Sequence, residues 1–427
     1  MPQQVVDTGL LPYLGRHFAD LVDPISDRTQ HAWQPLRSQN NEGNYQDQDQ
    51  FRKRNPEHFR LDRSPTAVSW QRGTRLDAST GYVVDVKMWV IALLFVLPVV
   101  LTYFVVLKGA DRFEPEPLWL LVGVFLWGAV VATVTAIVGN IVGQSAMSAA
   151  LGARLGDPLV QASTASFVAP VVEETTKGTG LLALWLLSRL WLKELDGPLD
   201  GVIYGGIIGL GFTLTEDVLY IQHAAEMTGA VGFGATFVMR TVLGGLGHAT
   251  FTAATGLGVG LAASSRRVWV WIAAPILGWC VAIGLHSLHN LLCTFLVAGG
   301  TGIVVKYLLF WGFDILYFVL VILLSLRDRT TVVLQLANEV GRLIQPKEFA
   351  RTTSRWMLLP FYNWFSLDRS GGGRRSARQK QLDLIELAFI KQRQTLGEQD
   401  AVLDRKERVL RTRIARANGR GIHIGAP

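Results

Sequence analysis

Cysteine is nearly absent. Cys280 and Cys293 are the two in 427 residues, both lie in one apolar segment, and no C-x-x-C occurs. A disulfide framework is excluded, and both residues read as small apolar fillers. The first thirty residues lack an apolar core of about 7–15 residues behind a basic start, so the first membrane span is expected to do the targeting. Charge is missing over long stretches: residues 88–107 and 118–143 contain no Asp, Glu, Lys or Arg. A soluble domain of ordinary design does not carry such runs, and each exceeds or matches the roughly 20 apolar residues that a helix needs to cross a bilayer.

What is present is distributed in three blocks. Residues 1–87 are polar, 88–326 overwhelmingly apolar, and 327–427 polar and basic. Further apolar segments fall at 201–221, 241–263, 269–296 and 303–326, the last interrupted by Lys306 and Asp314. The pattern predicts an all-α, polytopic membrane helix bundle of seven or eight spans. The domain layout follows: a largely disordered cytoplasmic extension over 1–87, a transmembrane domain over 88–326, and a basic, partly helical cytoplasmic tail over 327–427. Residues 38–50 are almost free of apolar side chains and cannot offset the entropy cost of ordering. In the tail, Leu382, Phe389, Leu396, Leu403 and Leu410 recur every seven residues with polar residues between them, the pattern of a surface helix with a narrow apolar stripe. No motif names a partner, so the tails are left with an unknown cytoplasmic one.

The net charge of +7 does not point to nucleic acid. Membrane proteins gather Lys and Arg on cytoplasmic loops and tails. Arg52-Lys53-Arg54, Arg266-Arg267 and the Arg-rich tail all lie outside the candidate spans. Loop charge puts both termini in the cytoplasm, with 108–117 and 223–239 outside and 144–158, 264–267 and 327–329 inside. Residues 159–192 must then enter and leave on one side. Pro170, Glu173, Glu174 and Lys177 interrupt that stretch, which predicts two short helices or a re-entrant pair around a cavity.

An ionisable side chain at the bilayer centre costs at least about 2.5–3.5 kcal/mol and is a functional candidate by default. Four clusters qualify. Glu173 and Glu174 are followed by Lys177, which a helix brings beside either one. Glu216 and Asp217 end a Gly-rich segment. His248 stands among glycines. His286, His289 and Asn290 share one apolar run, with His286 and Asn290 on one helix face. Each cluster alone also fits a structural role: a salt bridge, a polar helix end, a packed imidazole, interhelical hydrogen bonds. Together they supply carboxylates and imidazoles to one bundle. Three such ligands and a water make a catalytic zinc site, and a remaining Glu can act as base. The same set suits a proton or cation pathway, so peptidase and transporter both stay open on chemistry, although no convincing inverted repeat is visible.

The order of the motifs goes further. The chain reads P-V-V-E-E-T-T-K-G, then D-G-V-I-Y-G-G-I-I-G-L-G-F-T-L-T-E-D, then R-T-V-L-G-G-L-G-H-A-T-F-T-A-A-T-G, then L-H-S-L-H-N. This resembles the PrsW-type intramembrane metalloprotease family and, more widely, the CAAX-prenyl and bacteriocin-processing membrane proteases. Glu173, Glu174 and Lys177 match its E-E-x-x-K, Phe212 and Glu216 its F-x-x-x-E, His248 its lone His, and His286 with Asn290 its last motif. Asp217 departs from the Asn often found there. The resemblance implies hydrolysis of a peptide bond in a membrane-anchored protein, such as an anti-sigma factor. It implies Glu173 or Glu174 as general base oriented by Lys177, Glu216, His248 and His286 as zinc ligands, and Asn290 as oxyanion donor. A metal-free glutamate protease is the alternative within that group. The side chains are expected to meet in one cavity open toward the cytoplasmic half.

Overall fold

A computed structural model describes residues 86–425, apart from positions 114, 193, 297–299, 359–372 and 398–400. The expected disorder of the N-terminal extension concerns residues outside that set. The described residues are helical with no β-strand. Five stretches are long and apolar enough to cross a membrane: Lys87–Ala110, Leu118–Leu151, Pro198–Ser264, Val268–Phe295 and Thr301–Glu339.

The helices of the bundle are α1 (Val86–Ala110), α2 (Leu118–Leu151), α3 (consecutive helical segments over 158–192), α4 (Pro198–Thr236), α5 (Gly247–Ser264), α6 (Val268–Leu296) and α7 (Gly300–Leu336). The stretch Pro198–Ser264 is a hairpin. Gly229 takes φ +65° and ψ −146°, a conformation open to glycine alone, and breaks α4. Further back, a Cβ on Gly201 would strike the Gly256 carbonyl, one on Gly205 the Thr252 carbonyl, and one on Gly209 the His248 carbonyl. The paired numbers run in opposite directions, so α4 and α5 lie antiparallel at backbone contact, as small residues permit in membranes.

α3 differs from expectation. It is one continuous rod, not a broken pair. Pro170 sits at the start of Ala169–Leu187, directly after a π-helical turn at Thr164–Val168. The wider turn loosens the i→i−4 ladder where proline lacks its N–H, and the helix runs through.

Contacts fix which ends of the helices share a side. The Ser325 hydroxyl donates to the Ala110 carbonyl at 3.1 Å. Phe113 belongs to a hydrophobic cluster with Val332 and Leu336. Arg393 pairs with Asp196 at 3.6 Å, and Arg266 donates to the Leu396 carbonyl. The α1–α2, α3–α4 and α5–α6 connections therefore gather at one end with the C-terminal helices. The start of α1 lies at the other end, with the α2–α3 turn and the segment between α4 and α5. In the bundle 108–117 lies at the same end as 264–267 and 327–329, where the sequence reading had set it opposite to them. The difference traces to α3, which runs once from one end of the bundle to the other.

Past α7 the chain builds a second apolar cluster. α8 (Pro346–Thr352), α9 (Gly373–Thr395) and α10 (Ala401–Gly419) contribute, with Leu384, Ile385, Leu387, Ala388, Leu403, Leu410 and Ile414 buried. The heptad stripe read from the sequence is split: Leu396, after α9 ends, is exposed. Glu339 anchors the pair, accepting from Lys391 at 2.6 Å and from Arg411 at 2.7 and 2.9 Å. Outside the membrane span, Arg411 is held above its ordinary pKa, first through its hydrogen bond to Glu339.

Candidate active site

Four of the motifs converge on one buried centre. α3 carries Glu173, Glu174 and Lys177 on its inward face, α4 carries Glu216, the first turn of α5 carries His248, and α6 carries His286. Lys177 is fully buried, and such a charge must be matched. Its Nζ donates to Glu174 Oε1 at 2.8 Å, lies 2.9 Å from His248 Nδ1 and 3.9 Å from Glu173 Oε2, and sits 3.8 Å over the Phe212 ring.

The imidazoles share a pattern. An ammonium can only donate, so His248 Nδ1 accepts from Lys177 and Nε2–H donates to Glu216 Oε2 at 2.7 Å. His286 Nδ1 faces Glu174 Oε1 at 3.0 Å, and its Nε2 points toward Glu173 Oε2 at 3.8 Å. Each ring has a carboxylate behind it and a second nitrogen turned inward. The ring centroids are 5.0 Å apart, and Phe251 stacks on His286 at 5.2 Å.

The carboxylates are not equivalent. Glu174 is committed: Oε1 takes Lys177 and His286, and Oε2 takes the Thr252 hydroxyl at 3.0 Å. Glu173 is half committed: Oε1 accepts from Asn140 at 3.2 Å, while Oε2 is buried with no hydrogen-bond partner among the described residues. Glu216 Oε2 is shared between His248 and Arg240, the latter at 2.6 Å.

The donor set fits a metal. One ligand atom from each of Glu173, His248 and His286 lies within 4.8 Å of the others. Glu174 and Glu216 stand where carboxylates orient metal-binding histidines. The sequence reading had Glu216 among the ligands; its carboxylate accepts from His248 and Arg240, and the cluster of mutually close donor atoms holds Glu173 instead. Asn290 donates to the Ala165 carbonyl at 2.8 Å, tying α6 to α3. His289 packs edge-on against Phe310. Both cysteines are free.

Two further partners were not anticipated. Asn140 is one of two buried amides, with Gln144, in the chargeless second span. Arg240 precedes the His248 motif and compensates the Asp217 departure: it donates to Asp217 Oδ1 at 3.1 Å, while Thr241 donates to Oδ2 at 2.8 Å. The available signal was a strongly polar side chain within an otherwise largely apolar segment.

Fold and centre together define a polytopic helical membrane protein with carboxylates, imidazoles and an ammonium enclosed between its helices. A family profile described as PrsW family intramembrane metalloprotease matches residues 116–324. Protease PrsW of Geobacillus kaustophilus (strain HTA426) is 25% identical over 168 residues, which is 38% of this chain and 63% of that protein. No solved structure matches. The PrsW match covers just under half of the chain, residues 116–324, and every residue of the centre lies within it. The helices past α7 lie outside the match.

Proposed function

We propose that the chain is an intramembrane peptidase that hydrolyses a peptide bond of a membrane-anchored protein, with a single-span regulator such as an anti-sigma factor as the substrate class. The observation that carries this reading is the free Glu173 Oε2, buried and facing the inward nitrogen of His286. A hydrolase needs its imidazoles held still, and each of these has a carboxylate against it.

Glu173, His248 and His286 would hold a zinc ion, which when bound supplies Lewis acidity and a water of lowered pKa. Glu174 and Glu216 fix the tautomers of the two imidazoles. Glu174 is then the remaining carboxylate at the centre, and its Oε2, which accepts from Thr252 alone, would serve as the general base that passes a proton to the departing amine. With His248 Nδ1 given over to the metal, Lys177 would keep its bond to Glu174 and offer its remaining N–H groups to the carbonyl oxygen as charge develops there. This role replaces the one expected of Asn290, which supports the α3 backbone.

A second reading keeps the peptidase without metal. It is favoured by the Lys177 ammonium, a positive charge already placed 2.9 Å from His248. Glu173 Oε2 is then the base, and the imidazoles hold the water.

All seven helices α1–α7 cross the bilayer in this proposal. α3 is less apolar than its neighbours because it carries Glu173, Glu174 and Lys177 of the centre. Lys108, Arg112, Arg266, Arg267, Arg327 and Arg329 lie at the end shared with the C-terminal helices, which makes that end cytoplasmic. Glu216 is 18 residues beyond Pro198, and His286 is 18 beyond Val268. At 1.5 Å per residue the centre is about 27 Å from the cytoplasmic ends of α4 and α6. It belongs to the outer half, opposite to the sequence expectation.

The test is cleavage of single-span substrates by purified protein in vesicles, with and without a chelator. Cleavage abolished by chelation and restored by zinc supports the metal form. Cleavage indifferent to chelation leaves the Glu173 form. No cleavage, with Glu173→Gln and Glu174→Gln altering ion or solute flux instead, overturns the peptidase.

A further inference from the structure

We infer that α2 and α3 enclose a water path leading from the α2–α3 turn to Glu173. It deepens the peptidase reading, on which its catalytic meaning rests: each peptide bond hydrolysed consumes one water, and that water must reach a site walled by apolar helices.

The path is visible as a change of character along two helix faces. The buried stripe of α2 beyond its π-helical turn is Thr133, Ala136, Asn140 and Gln144. It turns from small groups to two amides toward the α2–α3 turn. On α3, Thr164 and Ser166 are fully buried in the segment between that turn and Glu173. They lie nine and seven residues before Glu173, about 14 and 10 Å along the helix axis. Contacts of Gly139 with Val172 and of Gly143 with Val168 bring α2 against α3 at this level.

The hydroxyls are the telling groups. Serine and threonine in membrane helices ordinarily bond to a carbonyl one turn back. This protein does so repeatedly: Thr102 to Pro98, Thr135 to Val131, Ser145 to Ile141, Thr175 to Val171 and Thr213 to Gly209. Thr164 Oγ1 and Ser166 Oγ make no such bond and have no partner among the described residues. Asn140 Oδ1 and Glu173 Oε2 are in the same condition. Buried polar atoms are satisfied in nearly all native structures, by protein or by ordered water. Four orphaned oxygens on two packed helices match a file of water that passes from the Thr164 side of α3, which meets α2, to the side that Ser166 shares with Glu173. Asn290 braces the wall by holding the Ala165 carbonyl, which lies between the two hydroxyl residues.

Exposure and water access give opposite expectations here, and that makes the path testable. Ser166 is fully buried, whereas its neighbour Phe167 is 56% exposed on the outside of the bundle, where lipid would cover it. The full chain, with Cys280→Ala and Cys293→Ala, is reconstituted in nanodiscs with Ser166→Cys or Phe167→Cys. Silver ion is the probe, because only a thiolate binds it and thiols ionise in water, not in lipid. Protection from alkylation after denaturation, read by mass spectrometry, gives the rate. Thr164→Cys serves as a second reporter if the Ser166 variant does not fold. The path requires the residue 166 or 164 thiol to react at least about tenfold faster than the residue 167 thiol. Equal or slower reaction overturns it, even if the protein cleaves substrates well. Fast reaction in a protein that cleaves nothing leaves the path standing and removes the peptidase reading.

Discussion

Replacing Gly209 by alanine should disable the centre although residue 209 touches none of its side chains. A Cβ there would lie 2.5 Å from the His248 carbonyl carbon and 2.6 Å from Ala249 N. Carbon contacts are comfortable only from about 3.5 Å, so α4 and α5 must part by roughly 1 Å. His248 moves with the α5 backbone. Its ring is held by Lys177 at 2.9 Å and Glu216 at 2.7 Å, and neither bond survives such a shift unaltered. A 1 Å misplacement of a reacting group costs about 10²-fold in rate. Intrinsic helix propensity pulls the other way, since alanine in a helix is favoured over glycine by about 1 kcal/mol. Loss of activity would therefore report the helix contact. The assay is cleavage of a single-span substrate in vesicles, by variants that remain monodisperse in detergent. Gly284→Ala is the control: it lies on α6, the helix of His286, and its Cβ would meet nothing within 4 Å. Wild-type rates for Gly209→Ala would refute the reasoning, because α5 would then have room that the contact denies it.

Arg240→Ala should leave Glu216 and Asp217 buried without their cation and cost about 3–5 kcal/mol, read as a lower midpoint of thermal unfolding in detergent; adding Asp217→Asn should recover part of it, and an unchanged midpoint for the single variant would show that the pair is not coupled. Glu339→Ala removes the acceptor shared by Lys391 and Arg411, worth about 1.5–3 kcal/mol for charged hydrogen bonds. It should make α9 and α10 susceptible to limited proteolysis while α1–α7 stay protected; equal resistance would mean that the apolar cluster alone holds them. His286→Ala should lower bound zinc and cleavage together, measured by metal analysis and peptide release, whereas retention of metal at full stoichiometry would remove His286 from the ligand set.

The helical class and most of the centre were legible because membrane insertion penalises charge. Glu173, Glu174, Lys177, Glu216, His248 and His286 stand out against their apolar neighbours, and these residues do converge. Their division of labour was not legible. Nothing in E-E-x-x-K says that Glu174 meets Lys177, His286 and Thr252 while Glu173 keeps one oxygen without a hydrogen bond. That depends on which helix lies across from each. Glu216 was expected among the ligands from the family resemblance, and nothing in that motif shows that Arg240, 24 residues away in sequence, shares its carboxylate. The topology failed on α3, where Pro170 read as a break. A π-helical turn absorbs the missing amide hydrogen, and sequence patterns of period 3.6 carry no sign of such a turn. In the tail the heptad spacing was real but ran across the end of a helix, and the packed face is set by Leu384, Ile385 and Leu387.

The central claim is that the paired glutamates have separate duties at one hydrolytic centre. Metal content and substrate cleavage, measured side by side on reconstituted wild-type, Glu173→Gln and Glu174→Gln protein, test it most directly. The expected result is loss of both zinc and cleavage in Glu173→Gln. Glu174→Gln should keep its zinc and lose about 10²–10⁴-fold in cleavage, the usual effect of removing a general base. Undiminished cleavage in both variants would contradict the account.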